Sequence, residues 1–180
     1  KLDPNDKDYY VKVQKITEDH AIEASVSKVV GSEALAYCAD EGVQIFGGSG
    51  FCEEYPAAGV YRDERINRIF EGTNEINRLI ISGTVLKKAI LEELPIRDAL
   101  ILRSEKMYDS NTFDNEVSKE ADVIEFCKST GLFVLDNLIN IYGQDFKNKQ
   151  WLIEPFADIV CSIAIMLSLI HISEPTRLGA

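Results

Sequence analysis

Basic charge is in short supply in this 180-residue chain, where 19 lysines and arginines face 30 aspartates and glutamates for a formal net charge of −11. Nucleic acid is therefore a poor partner, because holding a phosphate backbone calls for a basic face. Lys87-Lys88 and Lys147 to Lys149 make no such patch and read as solvated charges. A few local donors could still hold an anion in an acidic protein. The four cysteines, Cys38, Cys52, Cys127 and Cys161, are widely spaced, with no Cys-x-x-Cys and no histidine at ligand spacing. Metal and disulfide readings are accordingly weak, and reduced thiols in an intracellular protein fit better. No stretch alternates β-branched and polar residues, so strands are not expected and the fold class is all-α. Long apolar runs are missing too. Ile159 to Ile172 is uncharged for 14 residues, short of the ~20 that span a bilayer, and reads as a buried helix, so no transmembrane segment is expected. With 46% hydrophobic and 27% charged residues the composition is that of a soluble globular protein with a sizeable core.

The helical period predicts helices over Tyr9 to Val30, Ser32 to Phe46, Ala57 to Ile69 and Asn74 to Leu91. Pro95 marks a boundary. Beyond it the pattern predicts a helix over Ile96 to Ser104, an exposed loop over Tyr108 to Asn115, and a long amphipathic helix from Glu116 to Tyr142 carrying Val117, Ala121, Ile124, Leu132, Leu135, Ile139 and Tyr142. Gly143 should stop it. A last helix is expected from Lys149 to Leu167 despite Pro155, with Trp151 as a packing anchor.

The most informative stretch runs from Val43 to Ile76. Ile76, Leu79, Ile80, Gly83 and Leu86 line one face of a helix that opens at Asn74, which makes Thr73 its N-cap and lets Gly72 bend the chain into the first turn. Glu71 thus sits just outside a helix N-terminus, where free N–H groups and the helix dipole favour anions. Burial against Ile69 and Phe70 would disfavour its charged form while the helix end would favour it, and the sequence leaves that balance open. On local grounds Glu71 either does base chemistry or decorates a helix start. Gly47-Gly48-Ser49-Gly50 is similarly a phosphate cradle or a helix C-cap, and local evidence favours the cap. A dinucleotide fingerprint is ruled out, since it needs a preceding strand and a glycine where this chain has Glu53.

Several motifs occur in one order: Gly31-Ser32-Glu33-Ala34, Gln44-Ile45-Phe46-Gly47-Gly48-Ser49-Gly50-Phe51, Tyr55-Pro56, Arg62-Asp63, and Phe70-Glu71-Gly72-Thr73-Asn74-Glu75-Ile76. From about Ile22 to Ile90 the chain resembles the C-terminal helical domain of acyl-CoA dehydrogenases. The resemblance implies FAD-dependent α,β-dehydrogenation of a fatty acyl-CoA thioester to the trans-2-enoyl-CoA, as in fatty acid β-oxidation. It makes Glu71 the catalytic base for the α-proton while the β-hydride passes to the flavin. It puts Gly72 against substrate and Thr73, Asn74 and Glu75 against FAD. Gln44, Ile45, Phe46, Gly47 and Gly48 would reach the FAD of a neighbouring subunit, which implies a homodimer or homotetramer, and an electron-transferring flavoprotein would take the electrons. Having glutamate at position 71 argues against the isovaleryl-CoA and long-chain types, which carry the base elsewhere.

The resemblance divides the chain into a partial catalytic helical domain at 1–94 and an appended helical region at 95–167, the latter similar to very-long-chain types and their bacterial relatives. Ser168 to Arg177 resembles the translation of a sequencing adapter, so 168–180 is expected to be an artefact. The opening at Lys1 reads as the middle of a longer polypeptide that supplies a β domain and the remaining bundle helices. The 180 residues alone are then expected to be inactive and marginally stable, with apolar faces uncovered. The expected location is the bacterial cytoplasm, or the mitochondrion for a eukaryotic source. The alternative reading is a non-catalytic helical interaction or scaffold module of the same shape.

Overall fold

Every secondary-structure element among the described residues is a helix, as the lack of alternating segments implies. The structure is a computed structural model describing residues 6–96, 98–99, 101 and 116–173. The loop expected at Tyr108 to Asn115, most of the helix expected at Ile96 to Ser104, and residues 174–180 lie outside that set. The chain divides into two units, Lys1–Ile81 and Ser82–Ala180.

The first unit is organised by one long helix. α1 (Tyr9–Asp19) precedes α2 (Ala21–Phe46), and a single turn, α3 (Gly48–Phe51), leads to α4 (Pro56–Arg65). A 3-10 turn over Ile66–Arg68 and the start of α5 (Asn74–Ile90) complete it. The sequence pattern puts a break before Ser32, but the chain breaks at His20 and α2 runs straight through Gly31. One glycine inside a helix costs only about 1 kcal/mol. The buried residues Val26, Val29, Ser32, Ala36 and Ala39 keep one helical face going across Gly31, and their burial outweighs that cost. α2 ends where its glycine is: Gly47 takes φ +61 and its N–H donates to the Gln44 carbonyl at 3.1 Å. The C-cap reading of this turn therefore holds. Gly50 is required for a different reason, since a Cβ there would lie 2.5 Å from the Val43 carbonyl oxygen.

The second unit has the larger apolar core. α6 (Glu116–Tyr142) ends at Gly143, which takes φ +50 as expected of a stop. A 3-10 turn, Gly143–Asn148, joins it to α7 (Gln150–Ser173). Phe146 of that turn is fully buried, edge-on to Phe156 with centroids 6.1 Å apart. Ile124, Leu135, Leu138, Ile153 and Ala157 are buried as well. A Cβ on Gly131 would come 3.0 Å from Ile163, so this glycine lets α6 and α7 approach closely. Ser82 Oγ donates to the Ile153 carbonyl at 2.8 Å.

Two expectations for the last helix are corrected. Trp151 is 68% exposed and anchors nothing; Phe146 and Phe156 fill that role. α7 also runs past Leu167 to Ser173, and the stretch Gln150–Leu169 is long and apolar enough to cross a membrane by length and composition. Only 22% of that window is buried, so it is not a buried helix throughout. One face carries Ile153, Phe156, Ala157 and Cys161 inward, while Ile165, Leu167 and Leu169 stay exposed. The 14-residue count missed this because it stopped at Asp158, whereas two acidic residues, Glu154 and Asp158, are tolerated within the longer apolar window.

Candidate active site

The segment that carries Glu71 is built from the 3-10 turn onward. The Ile69 and Phe70 N–H groups both donate to the Ile66 carbonyl, at 2.9 and 3.0 Å, and close that turn. The chain then enters the left-handed region twice in succession, at Glu71 (φ 52) and Gly72 (φ 83), before α5 begins. Glycine adopts such a φ freely, whereas a residue with a Cβ is strained there by roughly 1–2 kcal/mol. Thr73 caps α5 as its position predicts. Its hydroxyl accepts the Ile76 N–H at 3.2 Å and its carbonyl accepts the Asn77 N–H at 2.9 Å.

A polar cluster from α2 and α5 surrounds this turn. Lys28 Nζ donates to the Gly72 carbonyl at 2.8 Å and to Asn74 Oδ1 at 2.6 Å. Asn77 Nδ2 donates to the carbonyls of Gly72 at 2.8 Å and Thr73 at 3.0 Å. Asn74 is buried, and its Nδ2 donates to Ser32 Oγ at 2.9 Å and Glu33 Oε1 at 3.2 Å. Arg78 pairs with Glu33 at 2.8 Å. The motif residues Ser32 and Glu33 are thus brought onto the Glu71 segment, though 41 and 42 positions separate them from Asn74.

Lys28, Asn77 and Arg78 escaped the sequence reading. Asn77 had a usable signal, lying four residues after the cap on the same helical face. Lys28 had none, because only the packing of α2 brings it to Gly72.

Glu75 has its carboxyl held below the ordinary glutamate range, first by its own backbone N–H and then by the Thr73 hydroxyl. Upstream, Glu64 is 3% exposed with Oε1 3.3 Å from Arg68 Nη2. Glu64 Oε2 and Arg68 Nε have no partner among the described residues, and unmet buried groups of this kind cost roughly 1–3 kcal/mol each.

Glu71 itself is exposed, and so are Ile69 and Phe70. The two apolar neighbours are themselves solvent-facing and do not bury it. A cavity of about 500 Å³ lined by Ala89, Leu94, Pro95, Ile96, Asp136 and Ile139 belongs to the second unit, and Glu71 is not part of its wall. Asn74 directs its side chain into α2, leaving its backbone for any ligand, whereas Thr73 is half-buried and Glu75 exposed. Gln44, Ile45, Phe46, Gly47 and Gly48 are all exposed, Ile45 at 82%. This stretch begins twelve residues beyond Ser32, at the end of α2, about 18 Å along the helix axis. The Glu71 turn and the glycine turn are therefore well separated within the chain.

Residues 10–86 match the family described as acyl-CoA dehydrogenase, C-terminal domain. The chain is 42% identical over 166 residues to a probable acyl-CoA dehydrogenase of Bacillus subtilis strain 168, covering 91% of this chain and 28% of that protein. It is 52% identical over 65 residues to the rat mitochondrial very long-chain specific acyl-CoA dehydrogenase, covering 36% of this chain and 10% of that one. Among solved structures it is similar to an acyl-CoA dehydrogenase complexed with FAD from Bacillus anthracis, with a TM-score of 0.78 and 41% identity over 87% of this chain and 27% of that one. The chain spans under a third of the length of these relatives. With motif order, an all-helical structure and these likenesses in agreement, the chain belongs to the acyl-CoA dehydrogenase family, and residues 10–86 form part of that family's C-terminal helical domain.

Proposed function

We propose that this chain is the base-bearing helical part of an FAD-dependent acyl-CoA dehydrogenase, with Glu71 removing the α-proton of a fatty acyl-CoA thioester to give the trans-2-enoyl-CoA. The observation that carries this reading is Glu71 on a strained, hydrogen-bonded turn at the mouth of a capped helix. Strain of that kind at a non-glycine residue persists where the surroundings over-determine it, often for function. A carboxylate is a weak base for a proton next to a thioester. It succeeds where water is excluded and the developing enolate oxygen meets fixed donors. The Glu71 backbone N–H is one candidate donor, and the exposed Gly72 lies next to it. In this reading, the surfaces that keep water from Glu71 come from the part of the protein beyond this third.

The exposed glycine turn fits a flavin nucleotide. A Cβ on Gly47 or Gly48 would meet nothing within 4 Å, so the backbone there is open to a close-lying ligand. Gln44, Ile45, Phe46, Gly47 and Gly48 would hold the FAD of a neighbouring subunit, and the backbone of Thr73, Asn74 and Glu75 that of their own. When bound, FAD supplies the acceptor for the hydride from the β-carbon. The separation of the two turns along α2 agrees with their serving different cofactors, and hence with a homodimer or homotetramer. An electron-transferring flavoprotein is the proposed electron acceptor.

The test is Glu71→Gln in the full-length flavoprotein. The variant should bind acyl-CoA and retain its yellow flavin, which acyl-CoA fails to bleach under anaerobic conditions. Bleaching at the wild-type rate would remove Glu71 from the reaction.

A further inference from the structure

The carbonyl of Gly72 is where the Glu71 turn is held. Its oxygen accepts from Lys28 Nζ on α2 and from Asn77 Nδ2 on α5, each at 2.8 Å, so both lone pairs are taken by donors from different helices. Neither donor is free to follow the turn elsewhere. Asn77 Nδ2 also donates to the Thr73 carbonyl at 3.0 Å. A Cβ on Gly72 would lie 3.2 Å from that same nitrogen, so the amide covers the bare face of the glycine. Lys28 Nζ gives a second proton to Asn74 Oδ1 at 2.6 Å, and Asn74 is tied to α2 through Ser32 and Glu33. A three-proton ammonium and a two-proton amide suit this task, since each must hold two oxygens at once.

We propose that Lys28 and Asn77 are positioning residues that, through the Gly72 carbonyl, fix the direction in which Glu71 leaves the chain before substrate binds. The inference rests on Glu71 being the base, as proposed above. The held carbonyl lies in the peptide that joins Gly72 to Thr73, so fixing it anchors the Gly72 end of the turn from which Glu71 leaves; an ångström of misplacement at a reacting group can cost about 100-fold in rate. Among the described residues no helix-closing backbone hydrogen bond is donated by the Glu71 or Gly72 N–H at this left-handed turn.

The test uses the full-length flavoprotein with Lys28→Met and Asn77→Ala, each alone and combined with Glu71→Gln. Flavin reduction by acyl-CoA should slow about 10- to 100-fold in either single variant, with KM for acyl-CoA little changed. Lys28→Arg should recover part of the loss. On the Glu71→Gln background neither variant should slow the residual rate further, because the group they aim is gone; a purely structural role would add its loss on both backgrounds. Independently of turnover, hydrogen exchange of the Phe70 to Asn74 amides should accelerate more than exchange in the rest of the helical domain. Wild-type reduction rates in both single variants, or equal losses on both backgrounds, would overturn the assignment while leaving Glu71 as base. Wild-type reduction by Glu71→Gln would remove the base itself and this inference with it.

Discussion

Glu71 in the first unit and Glu92 in the second share a left-handed backbone, φ 52 and 57, and are held there by different means. Glu92 follows the end of α5, where the Glu93 N–H donates to the Lys88 carbonyl at 2.9 Å and the Glu92 N–H to that of Ala89 at 3.2 Å. That is the ordinary backbone closure of a helix C-terminus, usually given to glycine. Around Glu71 the holding bonds come from side chains, Lys28 and Asn77, recruited from two helices. The units differ in the same way at large. The second relies on apolar contact around Phe146 and Phe156, whereas the first keeps a buried polar cluster of Ser32, Asn74 and Asn77. Buried polar groups specify geometry more than they stabilise, so the first unit has the character of a site and the second that of a support.

This contrast can be broken by mutation, and the largest effect is expected in the support. Phe146→Ala should destabilise the chain by about 3–5 kcal/mol, as removal of a fully buried aromatic does, read from denaturant unfolding followed by helical circular dichroism. Asn74→Ala should cost less, about 1–3 kcal/mol, through the partners it leaves unmet on α2. If the two losses are reversed in size, the division into apolar support and polar site is wrong. Glu71→Gly and Glu92→Gly should each stabilise by about 1 kcal/mol through relief of the left-handed strain, yet only the first should abolish dehydrogenation in the full-length protein. Loss of activity in both, or in neither, would erase the distinction between the two glutamates.

The smallest effect concerns acid. Glu75 titrates below its unfolded value, so its contribution to stability is fully present above the ordinary glutamate range and is lost as pH falls through the lowered folded value. The group is exposed and solvent screens it, so the contribution is small. Glu75→Gln should lower stability slightly at neutral pH, leave it unchanged below the lowered folded value, and so flatten the acid limb of the stability curve. An unchanged acid limb would show that the Thr73 hydroxyl and the helix end do not hold this carboxylate.

Features written in neighbouring residues were legible in the sequence. Thr73 as a cap, Gly47 and Gly143 as helix ends, and the span of α6 each follow from local chemistry that a few positions encode. What stayed hidden depends on distance or on balance. Lys28 reaches Gly72 across 44 residues, and nothing local to either announces the bond. The His20 break and the continuous α2 reflect burial outweighing the weak preference of Gly31. The left-handed Glu71 was hidden because glutamate carries no preference for that backbone; the cluster around Gly72 imposes it. The exposure of Trp151 and the uncovered face of α7 were likewise beyond a pattern that counts apolar residues without knowing what they meet.

The most direct test of the first unit as the site is to incubate an acyl-CoA with the full-length flavoprotein in D2O and recover the thioester. Deuterium should appear at its α-carbon with the wild-type protein and stay at the background level with Glu71→Gln. Incorporation by Glu71→Gln at the wild-type rate would contradict the assignment of Glu71 as the base and leave the helical module without its chemistry.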